Sequence, residues 1–227
     1  MPVLHHHPFC PQSRFVRLVL GEYGVPVELV EERVADRRPE LLALDPAGRT
    51  PVFIDDDGTV VPGASVIMEY IDDIGGAAMG SRRLMPTDPQ ARVEVRRLVE
   101  WFTIKCDAEA TSWLVQEKIF KRHSPQGGAP DMDAVRAARA NMRHHMRYID
   151  ALAGLRRWLA GDQLTYADFA AAAHLSCADY LDDAPWSEHE AAKEWYQRIK
   201  SRPAFRSLLA DRVPGMAPAP HYAEIDF

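Results

Sequence analysis

The sequence predicts an α/β domain followed by an all-helical domain. Three observations predict it. Strand-like and helix-like segments alternate up to residue 76; residues 77–88 contain Gly, Ser, Pro and Asp; and beyond residue 89 only helical spacing persists. The expected divisions are therefore residues 1–76, a linker at 77–88, a helical domain at 89–212, and a C-terminal segment at 213–227 that carries three prolines and no helical periodicity.

Each element has a local reason. Residues 2–6 read as a strand that runs into His7-Pro8-Phe9-Cys10-Pro11. Pro11 suits a first helical turn, where its missing N–H would have no intrahelical partner. Phe15, Val16, Leu18, Val19 and Leu20 follow at near-helical spacing, and Gly24 supplies a stop. Val27-Glu28-Leu29-Val30 alternates as a short strand. Pro39 to Leu44 reads as a short helix that ends in the turn Asp45-Pro46-Ala47-Gly48. Pro51-Val52-Phe53-Ile54 and Val60-Val61 are strands joined by a hairpin turn at Asp56-Asp57-Gly58. A helix from Ser65 to Ile74 is closed by Gly75-Gly76. The order β-α-β-α-β-β-α is that of the thioredoxin fold. In the second half, Val93, Leu98, Trp101, Phe102, Ile104, Trp113, Leu114 and Ile119 predict a long helical stretch over 89–122. A loop at 123–130 and helices near 131–154, 165–182, 188–201 and 203–211 follow.

The chain is 47% hydrophobic and 26% charged, an ordinary globular balance. A net charge of −6 argues against a nucleic-acid partner. Cys10, Cys106 and Cys177 are too few and too scattered for a disulfide framework or a zinc site, which favours a reducing compartment. No basic segment and apolar run opens the chain, and no apolar stretch approaches membrane length. The expectation is a cytoplasmic protein without membrane insertion. His5-His6-His7 alternate faces in a strand, so they cannot converge on one ion, and His144-His145 fail on a helix for a similar reason; no metal site is expected.

Four motifs bear on chemistry. Cys10-Pro11-Gln12-Ser13 sits where a strand hands over to a helix, whose free N–H groups and partial positive charge favour a thiolate. Cys10 is that thiolate, or Cys10 and Ser13 hold the thiolate of a bound thiol, or Cys10 is a small buried residue and Ser13 an early helix residue. Thr50-Pro51-Val52 places a proline at a strand start after a turn, where a cis bond would leave the preceding backbone free to pair with an extended ligand. Ser65 is a candidate N-cap, near N–H groups able to take a carboxylate. Thr165 and Asp168 form a capping box, with Leu164 and Phe169 as its hydrophobic staple; their role is structural.

These pieces in this order resemble the glutathione S-transferase superfamily over nearly the whole chain. The resemblance rests on Cys10-Pro11-Gln12-Ser13-Arg14, Asp45-Pro46-Ala47-Gly48, Thr50-Pro51-Val52, and Trp158-Leu159-Ala160-Gly161-Asp162 leading to Thr165-Tyr166-Ala167-Asp168. It implies a dimer. It implies that the Thr50 backbone beside Pro51 pairs with the cysteinyl part of glutathione, that Ser65 binds the γ-glutamyl carboxylate, and that Ser13 or Cys10 faces the sulfur. The implied activity is glutathione attack on an electrophile. The superfamily usually places an acid directly before the serine, whereas Ala64 offers no charge to the γ-glutamyl ammonium. Losing such a contact costs on the order of 1.5–3 kcal/mol, so no cofactor is expected to be required.

A narrower resemblance, to an alphaproteobacterial branch of the superfamily that serves cell division, rests on three segments. They are Val61-Pro62-Gly63-Ala64, Gln126 to Met132, and Pro220-His221-Tyr222-Ala223-Glu224-Ile225-Asp226-Phe227. It implies binding to FtsZ filaments at the division site, with effects on their assembly or curvature and little or no glutathione chemistry. Two copies in a dimer would bridge filaments through avidity. On the residues alone, Tyr222 and Phe227 can anchor the final segment while Glu224 and Asp226 stay exposed; the alternative is a segment that merely packs on its own domain. Glu117, Lys121 and Arg122, a charged helix end, complete the candidate partner surface with Glu224, Asp226 and Phe227. The alternatives carried forward are a transferase acting on an electrophile and a binding module with another partner.

Overall fold

The computed structural model describes residues 1–124 and 127–227. Pro125 and Gln126, inside the loop expected at 123–130 and part of the second resemblance segment, lie outside the described residues.

The first half is a four-stranded sheet of β1 (Val3–His6), β2 (Glu28–Glu31), β3 (Val52–Ile54) and β4 (Val60–Pro62), in the order β2-β1-β3-β4. β1 runs parallel to β2 and antiparallel to β3, and β3 pairs antiparallel with β4. In register, Leu4 opposes Phe53 and Phe53 opposes Val61. Strand side chains alternate faces, so these three buried residues share one side, where they join the core with residues of α1 (Pro11–Tyr23) and α3 (Ala64–Gly75). The short α2 spans Pro39–Leu44. The element order is the thioredoxin-like one.

Two details differ from the sequence expectation. Helix α3 begins at Ala64, because Gly63 takes the preceding turn at φ 89°, a conformation that L side chains rarely adopt. Ser65 is therefore the second helical residue and not the N-cap. The segment expected as a linker contains a 3₁₀ turn at Gly76–Arg82, then locks into both halves. Arg83 grips the buried Asp72 through two bonds of 3.0 and 2.6 Å. The Leu84 N–H donates to Tyr23 Oη at 3.1 Å, and its carbonyl accepts from the Tyr166 N–H at 3.3 Å.

The second half is entirely helical among the described residues. Helix α4 starts at Pro89–Glu100 under an Asp88 cap and passes without a break through π-helical turns at Trp101–Thr111 and Gln116–Phe120. It ends at Lys121–His123. Then come α5 (Met132–Leu155), capped by Asp131, α6 (Tyr166–Tyr180) and α7 (Glu190–Lys200). The helix expected over 203–211 divides into a 3₁₀ turn, Pro203–Phe205, and a short α8, Arg206–Leu209. No described helix is long and apolar enough to cross a membrane.

α6 is buried along its whole length and is the axle of the molecule. Small residues Ala170–Ala173 let α1 lie close against it. At its start the fully buried Asp168 accepts from the N–H groups of Leu159 (2.8 Å) and Thr165 (2.9 Å), from the Trp195 indole (2.9 Å) and from the Thr165 hydroxyl (3.1 Å). Burial raises the Asp168 pKa, while these four donors act in the opposite direction. Replacing Asp168 by Ala would orphan four buried donors; a loss of about 3 kcal/mol in urea unfolding is expected, with Asp168→Asn recovering part of it.

Candidate functional site

A cleft of about 510 Å³ opens between the two halves. The first half supplies Gln12 from α1, Asp45, Arg49 and Thr50 before β3, and Pro62 to Val66 at the head of α3. The second half supplies Arg96, Val99, Glu100, Thr103 and Ile104 from α4. Two contacts bridge the walls. Glu69 and Arg96 form a bidentate pair at 2.8 and 2.9 Å, and the Gln12 amide donates to the Thr103 carbonyl at 3.3 Å. The Arg96 hydrogen bond is the largest influence that lowers the Glu69 pKa.

Thr50-Pro51 is a cis peptide. The Thr50 carbonyl accepts the Cys10 thiol at 3.7 Å, and the Pro51 carbonyl accepts the Gly63 N–H at 2.9 Å. Those bonds tie the head of α1, the β3 entry and the head of α3 into one frame. Cys10 is the residue before the first turn of α1 and is half-buried. Ser13 is fully buried, and its hydroxyl accepts from the His7 N–H at 3.3 Å. Thr50 and Ser65 line the cleft; Cys10 and Ser13 do not.

The carboxylate-binding and sulfur-facing halves of the expected site are thus separated. Ser65 is exposed at an α3 terminus whose first N–H groups have no side-chain cap, which suits an anionic carboxyl group. Ala64 is buried and apolar, and Glu69 is already paired with Arg96. At the sulfur end, Ser13 has turned away from the cleft.

The candidate partner residues divide in the same way. Glu117 is buried, not free for a partner: it accepts from Lys121 at 2.8 Å and from the Asp131 N–H at 2.7 Å, clamping the end of α4 to the start of α5. The Asp131 N–H and then Lys121 lower its pKa. Arg122 is exposed and donates to the Gly215 carbonyl at 3.1 Å. Phe227 is turned inward. Its ring meets Trp186 at 5.5 Å and His221 at 5.0 Å, with the Lys200 ammonium 4.3 Å over it. Glu224 and Asp226 remain exposed on the segment that Phe227 and the buried Tyr222 hold down.

A buried clasp between the halves was not singled out by sequence reasoning. Arg14, fully enclosed, donates to the Pro8 carbonyl (2.6 Å), Ser176 Oγ (2.8 Å), Tyr222 Oη (3.2 Å) and Asp211 (3.3 Å). Arg17 holds the same Asp211 at 2.8 and 3.2 Å. The available signal was two arginines one helical turn apart on the otherwise apolar face of α1.

A family model described as the N-terminal domain of glutathione S-transferase matches residues 4–78, and one described as its C-terminal domain matches residues 118–203. The chain belongs to the glutathione S-transferase family. Among its relatives, FtsZ-localized protein A of Caulobacter vibrioides is 44% identical over 227 residues, covering 99% of this chain and 97% of that protein. Glutathione S-transferase 2 of Saccharomyces cerevisiae is 25% identical over 221 residues, 92% of this chain and 90% of that one. A solved glutathione S-transferase from Sinorhizobium meliloti superposes with a TM-score of 0.97 at 52% identity, covering 100% of both chains. FzlA from C. crescentus superposes at 0.93 with 43% identity, covering 100% of this chain and 99% of that one. At the head of α3, Ser65 and the uncapped N–H groups are open to an anionic group, whereas the Ser13 hydroxyl is buried and occupied by the His7 N–H.

Proposed function

We propose that this chain is a glutathione S-transferase-fold division protein that binds FtsZ filaments as a dimer and modulates their assembly or curvature, with little or no glutathione chemistry. The observation that carries the reading is the near full-length identity to FtsZ-localized protein A. Two features support it. Glu224 and Asp226 project from a segment in which Tyr222 is buried in the core and Phe227 packs against it, so the acids are presented on an ordered support. The sulfur end of the glutathione site lacks an open hydroxyl, because Ser13 is buried. Lys121 and Arg122 lie at the other end of that support, where Arg122 grips Gly215.

Co-sedimentation with GTP-assembled FtsZ tests the reading. The wild-type protein is expected in the pellet. A Glu224→Lys/Asp226→Lys double variant is expected to bind about tenfold more weakly, a change of about 1.4 kcal/mol. A wild-type protein left in the supernatant would sink the proposal.

The transferase alternative has one observation in its favour: Thr50 and Ser65 both line the cleft beside the cis Thr50-Pro51 bond. A conjugation assay with a model electrophile separates the two readings. We expect turnover no greater than background, and no change with Ser13→Ala. Robust turnover that disappears in Cys10→Ala would establish the enzyme instead.

A further inference from the structure

We propose that the outer face of α5, with Arg136, Arg143 and Arg147 in line and Trp113 of α4 beside them, is a docking surface for an acidic helical segment of another protein. The surface uses none of residues 213–227 and does not rest on FtsZ binding.

The arginines supply the first observation. α5 buries Val135, Ala138, Met142, Met146, Ile149 and Leu152 at helical spacing. On its other side, positions 136, 143 and 147 fall within about 40° of one another and span about 16 Å of the axis. All three arginines are exposed, and the exposed Ala140 lies in the same line, so the floor between the cations is short. Their charge is not spent inside the protein. Arg147 makes no hydrogen bond or ion pair among the described residues. Arg143 reaches the exposed Glu188 only at 3.4 Å, and Arg136 pairs with the exposed Asp133 on its own helix. Exposed pairs of this kind contribute little and give way readily to a better-placed carboxylate. Arg139, by contrast, is committed to the buried Asp183 at 2.6 Å.

Trp113 supplies the second. The Asn141 amide donates to the Glu109 carbonyl at 2.8 Å, and the Asp131 N–H donates to Glu117 at 2.7 Å. These contacts set α4 and α5 antiparallel, with Trp113 level with Arg136 and the exposed Ala137. The Trp113 side chain is 49% exposed, and its indole N–H is already bonded to the Ala108 carbonyl at 3.0 Å. What it offers a partner is therefore the bare ring. The nearby acid, Glu109, is paired with Lys105. A large aromatic beside arginines, over a floor of alanine, is the composition of a protein-binding patch. Arg143 and Arg147 stand one helical turn apart, the spacing of carboxylates at i and i+4 on a partner helix, and a guanidinium takes a carboxylate through two parallel bonds. A net charge of −6 opposes approach to a nucleic acid or an anionic bilayer as a whole. The alanine floor also buries too little apolar area for an interfacial helix.

The test is an NMR titration of the ¹⁵N-labelled full chain with a helical peptide of about 16 residues that carries glutamates at i, i+4 spacing beside leucines. A matched peptide with lysine for glutamate and vesicles containing phosphatidylglycerol are titrated in parallel. The glutamate peptide is expected to shift the Trp113 indole N–H and the exposed α5 amides, and to bind more weakly as salt rises from about 50 to 300 mM. Arg143→Gln/Arg147→Gln is expected to weaken binding about tenfold, and Trp113→Ala to weaken it while keeping the salt dependence. Arg82→Gln, an exposed arginine on the 3₁₀ turn, is expected to change nothing. No shift at Trp113 or α5 with the glutamate peptide at about 50 mM salt, equal shifts with the lysine peptide, or shifts with the vesicles alone would overturn the proposal. The wild-type titrations decide it even where a variant fails to fold.

Discussion

Replacing Arg14 by Met is expected to remove about 3–5 kcal/mol of stability, read as a fall in the urea midpoint. The side chain is sealed from solvent between α1, α6 and the C-terminal segment. Burial alone would disfavour its charge, but Tyr222, Cys177 and Asp211 around it raise its pKa. Methionine fills much of the volume and satisfies none of the partners. The Pro8 carbonyl, Ser176 Oγ and Tyr222 Oη would lose a charged donor, and Asp211 would keep only Arg17. Arg14→Lys is expected to recover little, because one ammonium cannot span four acceptors set around a planar guanidinium. The variant should also loosen the Phe9–Cys10 turn, since Arg14 stacks 4.4 Å over the Phe9 ring. A loss under about 1 kcal/mol would show that the clasp is dispensable.

Acidification from pH 6.5 to 4.5 is expected to cost on the order of 4–6 kcal/mol. His6, His7 and His145 are held neutral mainly by burial, with pKa values pushed down to about 3, 4 and 4. Each group is depressed, so its contribution is complete above 6.5 and is lost as pH falls toward the folded value. The slope is up to about 1.4 kcal/mol per pH unit for each ring, with the share of the partly exposed His7 discounted for solvent screening. His174, also lowered to about 3 by burial, adds little to the slope. Its neighbour Asp107, 3.7 Å away, is raised to about 6 by burial. Between about pH 4 and 6 the unfolded chain protonates that histidine while the folded chain protonates that aspartate, and the two shifts offset. His221, whose pKa is raised by its hydrogen bond to Asp179, works in the opposite direction and softens the loss. Urea titrations at the two pH values measure the difference; equal stabilities would mean that these rings are hydrated in the folded protein.

Much of the fold was legible in local sequence. Pro11 at a helix start, Gly24 at its end, the alternating Val27–Val30 segment and the Thr165–Asp168 box each act within a few residues of themselves, so spacing alone locates them. The candidate site was legible only as a frame. Thr50 and Ser65 stand at the cleft, with Pro51 in the cis bond beside it, but Ser65 lost its capping place to Gly63, whose positive φ starts the helix earlier. The inward face of Ser13 depends on how β1 turns into α1 beneath the second domain. The capture of Glu117 depends on Asp131, fourteen positions along the chain. The inward turn of Phe227 depends on Lys200 and Trp186, brought together by α7.

By itself, the sequence determined the α/β-then-helical order, the turns, the caps and the residue types available at the thiol turn and in the final segment, because those follow from backbone propensity and short-range periodicity. Tertiary structure alone decided which side chains remain free to act. Whether a hydroxyl, a carboxylate or an aromatic ring meets solvent or an internal partner is set by packing between residues as distant as Arg14 and Asp211, which are 197 positions apart. No local pattern encodes such a contact, because its energy comes from desolvation and pairing that exist only once the two halves have closed on each other.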